Sequence, residues 1–330
     1  MAVIWDNAPA NNAKKTRKNK NMRKVIGIGE TIFDIIFKNN VPTRAVPGGS
    51  TFNSMITLGR MGVPVHFITE VGNDKIGNMI LDFMRDNNLT TENVDVFDDG
   101  RAQSPVSLAF LNDENDAQYA FYQQYPEKRL DFVWPIVEAG DLLIFGSYHA
   151  VNPQLRDKMT EFLSYARDQK AIIYYDVNFR KTYAHEAMRV MPAFLENLEY
   201  ADIVRGSGED FETLLKESSP ERIYRNHISF YTPNFIFTDG GKGVDIFCNA
   251  GSRHIDIPPI KTVSTIGAGD NFNAGTLFGL LLENISRDEL SDLSLARWGE
   301  IIKHGIAFAS EVCQSYENYV SKEFAAAYPR

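Results

Sequence analysis

From residue 140 onward, short apolar runs alternate with helical stretches, and this alternation restricts the fold more than any other feature of the chain. Leu142-Leu143-Ile144-Phe145-Gly146, Ala171 to Tyr175, Ala201 to Val204 and Asn234 to Thr238 are strand-length runs with little polar interruption, the pattern of strands covered on both faces. Between the first two, Leu155, Met159, Phe162, Leu163 and Ala166 share one helical face, and Asn152-Pro153 is expected to open that helix as cap and first-turn proline. Further helices are expected from about His185 to Leu198 and from Asp210 to Leu215. Strand–helix–strand order with short connections specifies right-handed crossovers, so the chain reads as α/β, with a mostly parallel sheet between two layers of helices. Such sheets bind ligands at the C-terminal ends of their strands.

Chemically capable residues fall at those ends. Asp176-Val177-Asn178-Phe179-Arg180 directly follows one strand, and Thr238-Asp239-Gly240-Gly241-Lys242-Gly243 ends another. The chain contains no Gly-x-x-x-x-Gly-Lys-Ser/Thr, so Lys242 is not a P-loop lysine. Further on, Ser264-Thr265-Ile266-Gly267-Ala268-Gly269-Asp270 is a glycine turn that runs into an apolar helix reaching about Leu282. Gly267 and Gly269 let successive N–H groups converge at the positive end of that helix, forming an anion hole. Asp270 stands in the first helical turn beside it. Capping would account for the aspartate but not for two glycines in the three preceding residues. A base beside an anion hole points to phosphoryl transfer.

The N-terminal part supplies a different set of residues. Val25-Ile26-Gly27-Ile28-Gly29-Glu30 is a strand running into glycines, but position 32 is Ile where a dinucleotide fingerprint needs a third glycine, and Phe33 to Phe37 reads as another strand. An NAD-dependent oxidoreductase is therefore disfavoured. Pro47-Gly48-Gly49-Ser50-Thr51-Phe52-Asn53 enters a helix that ends near Gly62. Pro105 to Leu111 and Ala117 to Gln123 form a hairpin around the polar loop Asn112 to Asp116. With strands at 32–37 and 43–46 they predict a small separate sheet over about 31–47 and 100–124. Val106, Leu108 and Phe110 with Tyr119 and Phe121 give that sheet more apolar surface than a small ligand covers, so pairing with a second subunit is expected.

Composition narrows the classes. The net charge of −9 argues against a nucleic-acid partner, and no apolar run approaches the roughly 18 residues of a membrane span. Cys248 and Cys313 have no metal or redox spacing, and the histidines form no zinc motif, as in a reduced cytoplasmic protein. Residues 1–22, rich in Asn, Lys and Arg without apolar periodicity, are expected to be a disordered leader. One domain over 23–330 accounts for the rest.

In these motifs and their order the chain resembles the ribokinase/PfkB family of carbohydrate kinases, over about residues 24 to 315. The resemblance implies a ribokinase-like three-layer fold with a β lid, and transfer of the γ-phosphoryl of ATP to a sugar hydroxyl. It implies Asp270 as the base and Gly267, Ala268 and Gly269 as the anion hole. Asp34, Gly48, Gly49, Asn53 and Arg180 would hold the sugar. Thr238, Gly240, Gly243 and Ser207 would hold the nucleotide, with His304 bordering adenine. Asp210 and Glu209 would organise Mg2+ through water, Asp210 standing with a shorter reach where the family has glutamate. Ser264 replaces a usual aspartate and the Gly-Ala common near the C-terminus is absent around Tyr316 to Tyr319, which weakens the expectation of a monovalent cation such as K+. Fructose or a related ketose is the favoured substrate. A nucleoside and 2-keto-3-deoxygluconate are the alternatives, since Arg180 with Tyr119 would suit a carboxylate. A sugar sensor without turnover is the rival from another class. Lid pairing makes a homodimer.

Overall fold

A computed structural model describes residues 23–111 and 117–329. The leader, the 112–116 loop and the Tyr119 side chain, for which expectations were set out above, lie outside the described residues. In chain order, β1 (Val25–Ile28) is followed by β2 (Ile32–Lys38), β3 (Val41–Gly48), α1 (Ser50–Arg60), β4 (Val65–Gly72), α2 (Lys75–Asp86) and β5 (Val94–Phe97). Then come β6 (Gln103–Leu111), β7 (Ala117–Gln124), β8 (Leu142–Gly146), α3 (Ser147–Val151), α4 (Arg156–Asp168), β9 (Ile172–Asp176) and α5 (Ala187–Tyr200). The chain continues through β10 (Ile203–Ser207), α6 (Gly208–Leu215), α7 (Pro220–Ile223), β11 (Asn234–Thr238), β12 (Val244–Cys248) and β13 (Gly251–Ile255). It closes with α8 (Ala268–Leu282), α9 (Leu295–Cys313) and α10 (Lys322–Ala327).

Among the described residues these strands form a large sheet in the order β13-β12-β11-β10-β9-β8-β1-β4-β5 and a small one in the order β3-β2-β6-β7. The large sheet is parallel except at the β11–β12–β13 edge. Alternate residues of its strands feed two cores. Leu142, Ile144, Ile172, Tyr174 and Ile203 face α1, α2, α8 and α9, whereas Leu143, Phe145, Ile173, Tyr175 and Val204 face α4, α5 and α6. Burial on both faces is why these strands read as unbroken apolar runs, at roughly 1.5–3 kcal/mol for each large aliphatic side chain removed from water.

Three sequence expectations shift. The helix placed at Asn152-Pro153 starts at Arg156, because the Asn152 side chain accepts from the Gln154 N–H and its carbonyl from the Leu155 N–H, using the asparagine in a turn. The helix after β9 is delayed to Ala187 by a 3-10 segment over Lys181–Glu186. In the lid, Phe121 pairs with Ser107 while Val106 pairs with Tyr122, so Phe121 lies on the opposite face from Val106, Leu108 and Phe110. The apolar face is also partly used within the subunit: Val106 and Ile35 pack on the main core, and Phe37 stacks on Phe110 at 5.0 Å.

Helices α8 and α9 cross at close range over glycines, Gly275 and Gly279 on one and Gly305 on the other, and the tightest is Gly275, where a Cβ would lie 2.3 Å from the His304 carbonyl oxygen. Gly275→Ala should therefore force the helices apart and lower stability by about 1–3 kcal/mol, measured by urea unfolding. An unchanged midpoint would show that the crossing has slack.

Candidate active site

Two cavities open at the C-terminal edge of the large sheet, on either side of the turn that starts α8. One, of about 210 Å3, lies under the lid and is lined by Glu30, Asp34, Gly49, Asn53, Arg180 and Asp270 among others. The second, of about 480 Å3, is lined on one side by Arg205, Ser207, Thr238, Gly240 and Gly241, and on the other by Ile257, Pro258, Pro259, Ile306 and Ala309. Gly267 and Asp270 face the first cavity, and Ala268 and Gly269 face the second. Gly267 makes this division possible. Its φ of 77° is left-handed, and a Cβ there would meet the Asn318 carbonyl oxygen at 2.9 Å.

Asp270 is buried, and each carboxylate oxygen has its own donor on α1: Ser50 Oγ at 2.7 Å and Asn53 Nδ2 at 2.7 Å. Burial pushes its carboxyl above the ordinary carboxylate range, while the Arg180 charge and the two donors pull the other way. The Asp34 carboxyl is likewise raised by burial, opposed by the Ser107 hydroxyl that donates to it and by Arg180. Gly48 is needed behind it, since a Cβ would stand 2.5 Å from Asp34 Oδ2. Arg180 is exposed and makes no hydrogen bond or ion pair with the described residues. Asn53 Oδ1 is buried without a partner among them. Asn178 Nδ2 donates to Ser147 Oγ at 2.9 Å, and both residues have positive φ, a local strain of the kind that collects at functional sites.

The other anticipated residues divide. Thr238, Ser207 and Gly240 line the second cavity, and Gly240 has open space where a Cβ would be. Gly243 does not line it; it closes the turn, its carbonyl accepting from the Asp239 N–H. His304 lines neither cavity, because its ring packs edge-on to Phe278 and its Nδ1 is 2.9 Å from the Tyr328 hydroxyl. Asp210 is buried in a capping box in which one carboxylate oxygen accepts from both the Ser207 N–H and hydroxyl. Glu209 is exposed, 3.9 Å from Lys181. The described residues contain no cluster of three or more His, Cys, Asp or Glu side chains able to hold a metal. A nucleotide does fit the second cavity: one wall is apolar and the other presents glycine backbone and a buried cation.

That cation, Arg205, was not anticipated. Its guanidinium pairs with Asp176 at 2.9 Å, donates to Thr238 Oγ1 at 2.7 Å, and lies against Gly269, where a Cβ would come within 3.1 Å. The clue was a single charge in the run Ile203-Val204-Arg205-Gly206. Asp176 in turn accepts from Asn273 on α8, so the Asp-x-Asn-x-Arg segment lines the first cavity with Asn178 and Arg180 and holds, through Asp176, the Arg205 that lines the second.

One cavity thus holds a buried carboxylate, and the next holds glycine backbone beside a buried guanidinium. The chain belongs to the pfkB family of carbohydrate kinases, whose sequence model matches residues 22–323. It is similar to probable fructokinase-6, chloroplastic, of Arabidopsis thaliana, at 26% identity over 81% of this chain and 68% of that protein. A 5-dehydro-2-deoxygluconokinase of Bacillus cereus is 27% identical over 71% of this chain and 73% of its own length. Among solved structures, fructokinase from Vibrio cholerae with fructose, ADP and calcium bound superposes with a TM-score of 0.77 at 19% identity, covering 91% and 96% of the two chains. The protein is thus a sugar kinase, and its family implies use of ATP.

The raised Asp270 carboxyl has a consequence for stability. Below the ordinary aspartate pKa it is protonated folded and unfolded, at no cost. As pH rises, the unfolded chain ionises first, so stability falls until the folded carboxyl also ionises and stays reduced above that point. Asp270→Asn should therefore melt above the wild type at pH 7, with the difference shrinking toward pH 4. Melting curves across that range check this, and an equal or lower melting temperature at pH 7 contradicts it.

Proposed function

We propose that the enzyme transfers the γ-phosphoryl of ATP to a hydroxyl of a ketose, with fructose the first candidate. The supporting observation is that one turn, Gly267 to Asp270, is the wall between the cavities, with Gly267 and the buried Asp270 lining one side and Ala268 and Gly269 the other. Asp270 takes the proton of the acceptor hydroxyl as its oxygen bonds to the γ-phosphorus and the bond to ADP breaks. The N–H groups at Gly267 and Gly269, with the helix dipole behind them, hold the charge on the transferring group, while the Ala268 N–H donates to the Thr265 carbonyl at 3.2 Å and fixes the turn. Arg180 faces Asp270 and Asp34 and offsets the charge gathered there. Asn53 Oδ1 and the Asp34 carboxylate accept from sugar hydroxyls, and Gly48 and Gly49 let the backbone approach. Ser207, Thr238 and Gly240 border the phosphates.

Magnesium, when it accompanies ATP, would neutralise phosphate charge. Here it would rest on phosphates and water, with Glu209 the exposed carboxylate at that end and Asp210 acting by fixing Ser207. A second reading, a sugar acid, is favoured by the unpaired Arg180 and by the 5-dehydro-2-deoxygluconokinase relatives. An ADP-release assay across ketoses, aldoses, nucleosides and sugar acids tests both. Asp270→Asn should lower kcat by about 10²–10⁴ while ATP still binds; wild-type turnover in that variant would remove Asp270 from the mechanism.

The lid is also assigned to dimerisation. Phe110 and Tyr122 are 37% and 62% exposed on the same lid face, beyond the part that packs on the core. Sedimentation should give a homodimer at micromolar concentration, and Phe110→Asp with Tyr122→Asp should give monomers. A monomeric, fully active wild type would refute the pairing.

A further inference from the structure

We propose that Glu30, fixed by Gln123 and Tyr125, determines specificity in the lid-side cavity and selects neutral polyhydroxy sugars against sugar acids. This deepens the ketose-kinase reading and rests on it. Glu30 follows β1 at its C-terminal end and lines the cavity. Gln123 Nε2, on the lid, donates to its Oε1 at 2.9 Å, and the Tyr125 hydroxyl donates to the same oxygen. Oε2 accepts nothing further from the described residues, so the carboxylate is held at one oxygen and available at the other. Tyr125 cannot swing away easily, because the Arg129 guanidinium sits 3.5 Å from its ring centre. Arg129 is itself locked in a buried pair with Glu70, its Nε 2.9 Å from both carboxylate oxygens.

The charges here decide the ligand class. Arg129 is the cation that pulls the Glu30 carboxyl down, but Glu70 already occupies it, and Glu70 and Asp34 both push Glu30 up, as does burial. The surroundings of Oε2 are therefore net negative. A hydroxyl donor is accepted there, while a carboxylate at Oε2 would be a further anion beside a cation, Arg129, that is already engaged by Glu70. A second group points to the same cavity. His149 is only 7% exposed, lines the cavity, and has an Nδ1 with no partner among the described residues. Burial and the Arg129 charge push its pKa down to about 3, so the ring is neutral. A neutral imidazole offers one donor and one acceptor, which suits a hydroxyl and gives a carboxylate no charge. Arg180, the free cation of the cavity, acts on Asp270 and Asp34, whereas the cation that acts on Glu30 is Arg129.

The test compares wild type and Glu30→Gln in the ADP-release assay with D-fructose and 2-keto-3-deoxygluconate, with melting temperatures to confirm folding. The expected result for Glu30→Gln is a KM for fructose raised about 10–100-fold, the loss on unpairing one charged hydrogen bond. KM for ATP and kcat should stay within about threefold, and the kcat/KM ratio of acid to ketose should rise at least about tenfold as the repelling charge goes. Glu30→Asp keeps the charge but withdraws the oxygen, so it should raise KM for fructose without gain on the acid. A folded Glu30→Gln with unchanged KM and unchanged ratio overturns the proposal. Calorimetric binding to wild type needs no variant: tighter fructose supports it, and tighter acid overturns it. If no sugar is phosphorylated yet fructose binding still depends on Glu30, the ketose-kinase reading fails and the selection by Glu30 stands.

Discussion

The geometry of this enzyme depends on a polar seam between two buried helices. Ser50, Asn53, Ser54 and Thr57 form one stripe of α1 at helical spacing, and every one of them bonds α8. Ser50 and Asn53 hold the Asp270 carboxylate, Ser54 donates to the Asp270 carbonyl, and Thr57 donates to Asn271. Asn271 passes the constraint on, donating to the carbonyls of Gly267 and Asn318 at 2.8 Å each. In an apolar interior a hydroxyl or amide without a partner costs about 1–3 kcal/mol, so slipping or rotating α8 by one position would break several such bonds together. Apolar packing alone would tolerate such a slip far better. The seam therefore sets the height and rotation of the helix whose first turn carries the base.

Two buried ion pairs extend the same control to the strand ends. Asp176 with Arg205 links β9, β10, β11 and α8, since Arg205 also bonds Thr238 and Asp176 also bonds Asn273. Glu70 with Arg129 links β4 to the segment after the lid, and the Leu130 N–H completes the Glu70 carboxylate. Pairs of this kind add little net stability, because removing both charges from water offsets much of their attraction. Their contribution is placement. A guanidinium has a fixed fork of donors, and once both sides are engaged its charge cannot relax toward an arriving phosphate or sugar. Arg205 beneath Gly269 and Arg129 behind Tyr125 are thus fixed charges, one at each cavity.

What the sequence disclosed follows from how local each signal is. The parallel sheet was legible because burial on both faces leaves apolar runs in single segments, and the turn at Gly267 because a left-handed residue at the start of a helix calls for glycine. The lid was legible as strands, but its faces were not: which residue of β6 opposes Phe121 depends on register across a hairpin. The helix at Asn152 was misplaced because asparagine before proline suits a turn as well as a cap. The roles of Glu30, Arg129 and Arg205 were hidden for another reason. Each depends on partners brought from distant segments, and alone each is only a charged residue near a strand. His304 went the other way: a polar residue on the last long helix suggested a ligand, yet Tyr328 and Phe278, on other elements, satisfy it.

The two cavities also differ in what they can discriminate. The second cavity is walled by glycines, prolines, apolar side chains and hydroxyls, with Arg205 as its charge, a surface that on the proposed reading takes phosphate and a flat ring. The first cavity is built from Glu30 just after β1 and from side chains on β2, β7, α1, α3, the segment after β9, and α8. A change at Glu30, Gln123 or His149 leaves the seam that holds Asp270 untouched, whereas Ser50 and Asn53 belong to both the cavity and the seam. Because the lid contributes Gln123 to Glu30 directly, closing the lid and reading the sugar use the same contact. A ligand that cannot satisfy Glu30 would then weaken closure as well as binding, and water would reach the phosphoryl group in competition with the sugar. On the proposed reading, selectivity is thereby tied to exclusion of water from the transfer, through the Gln123–Glu30 contact between the lid and the main sheet.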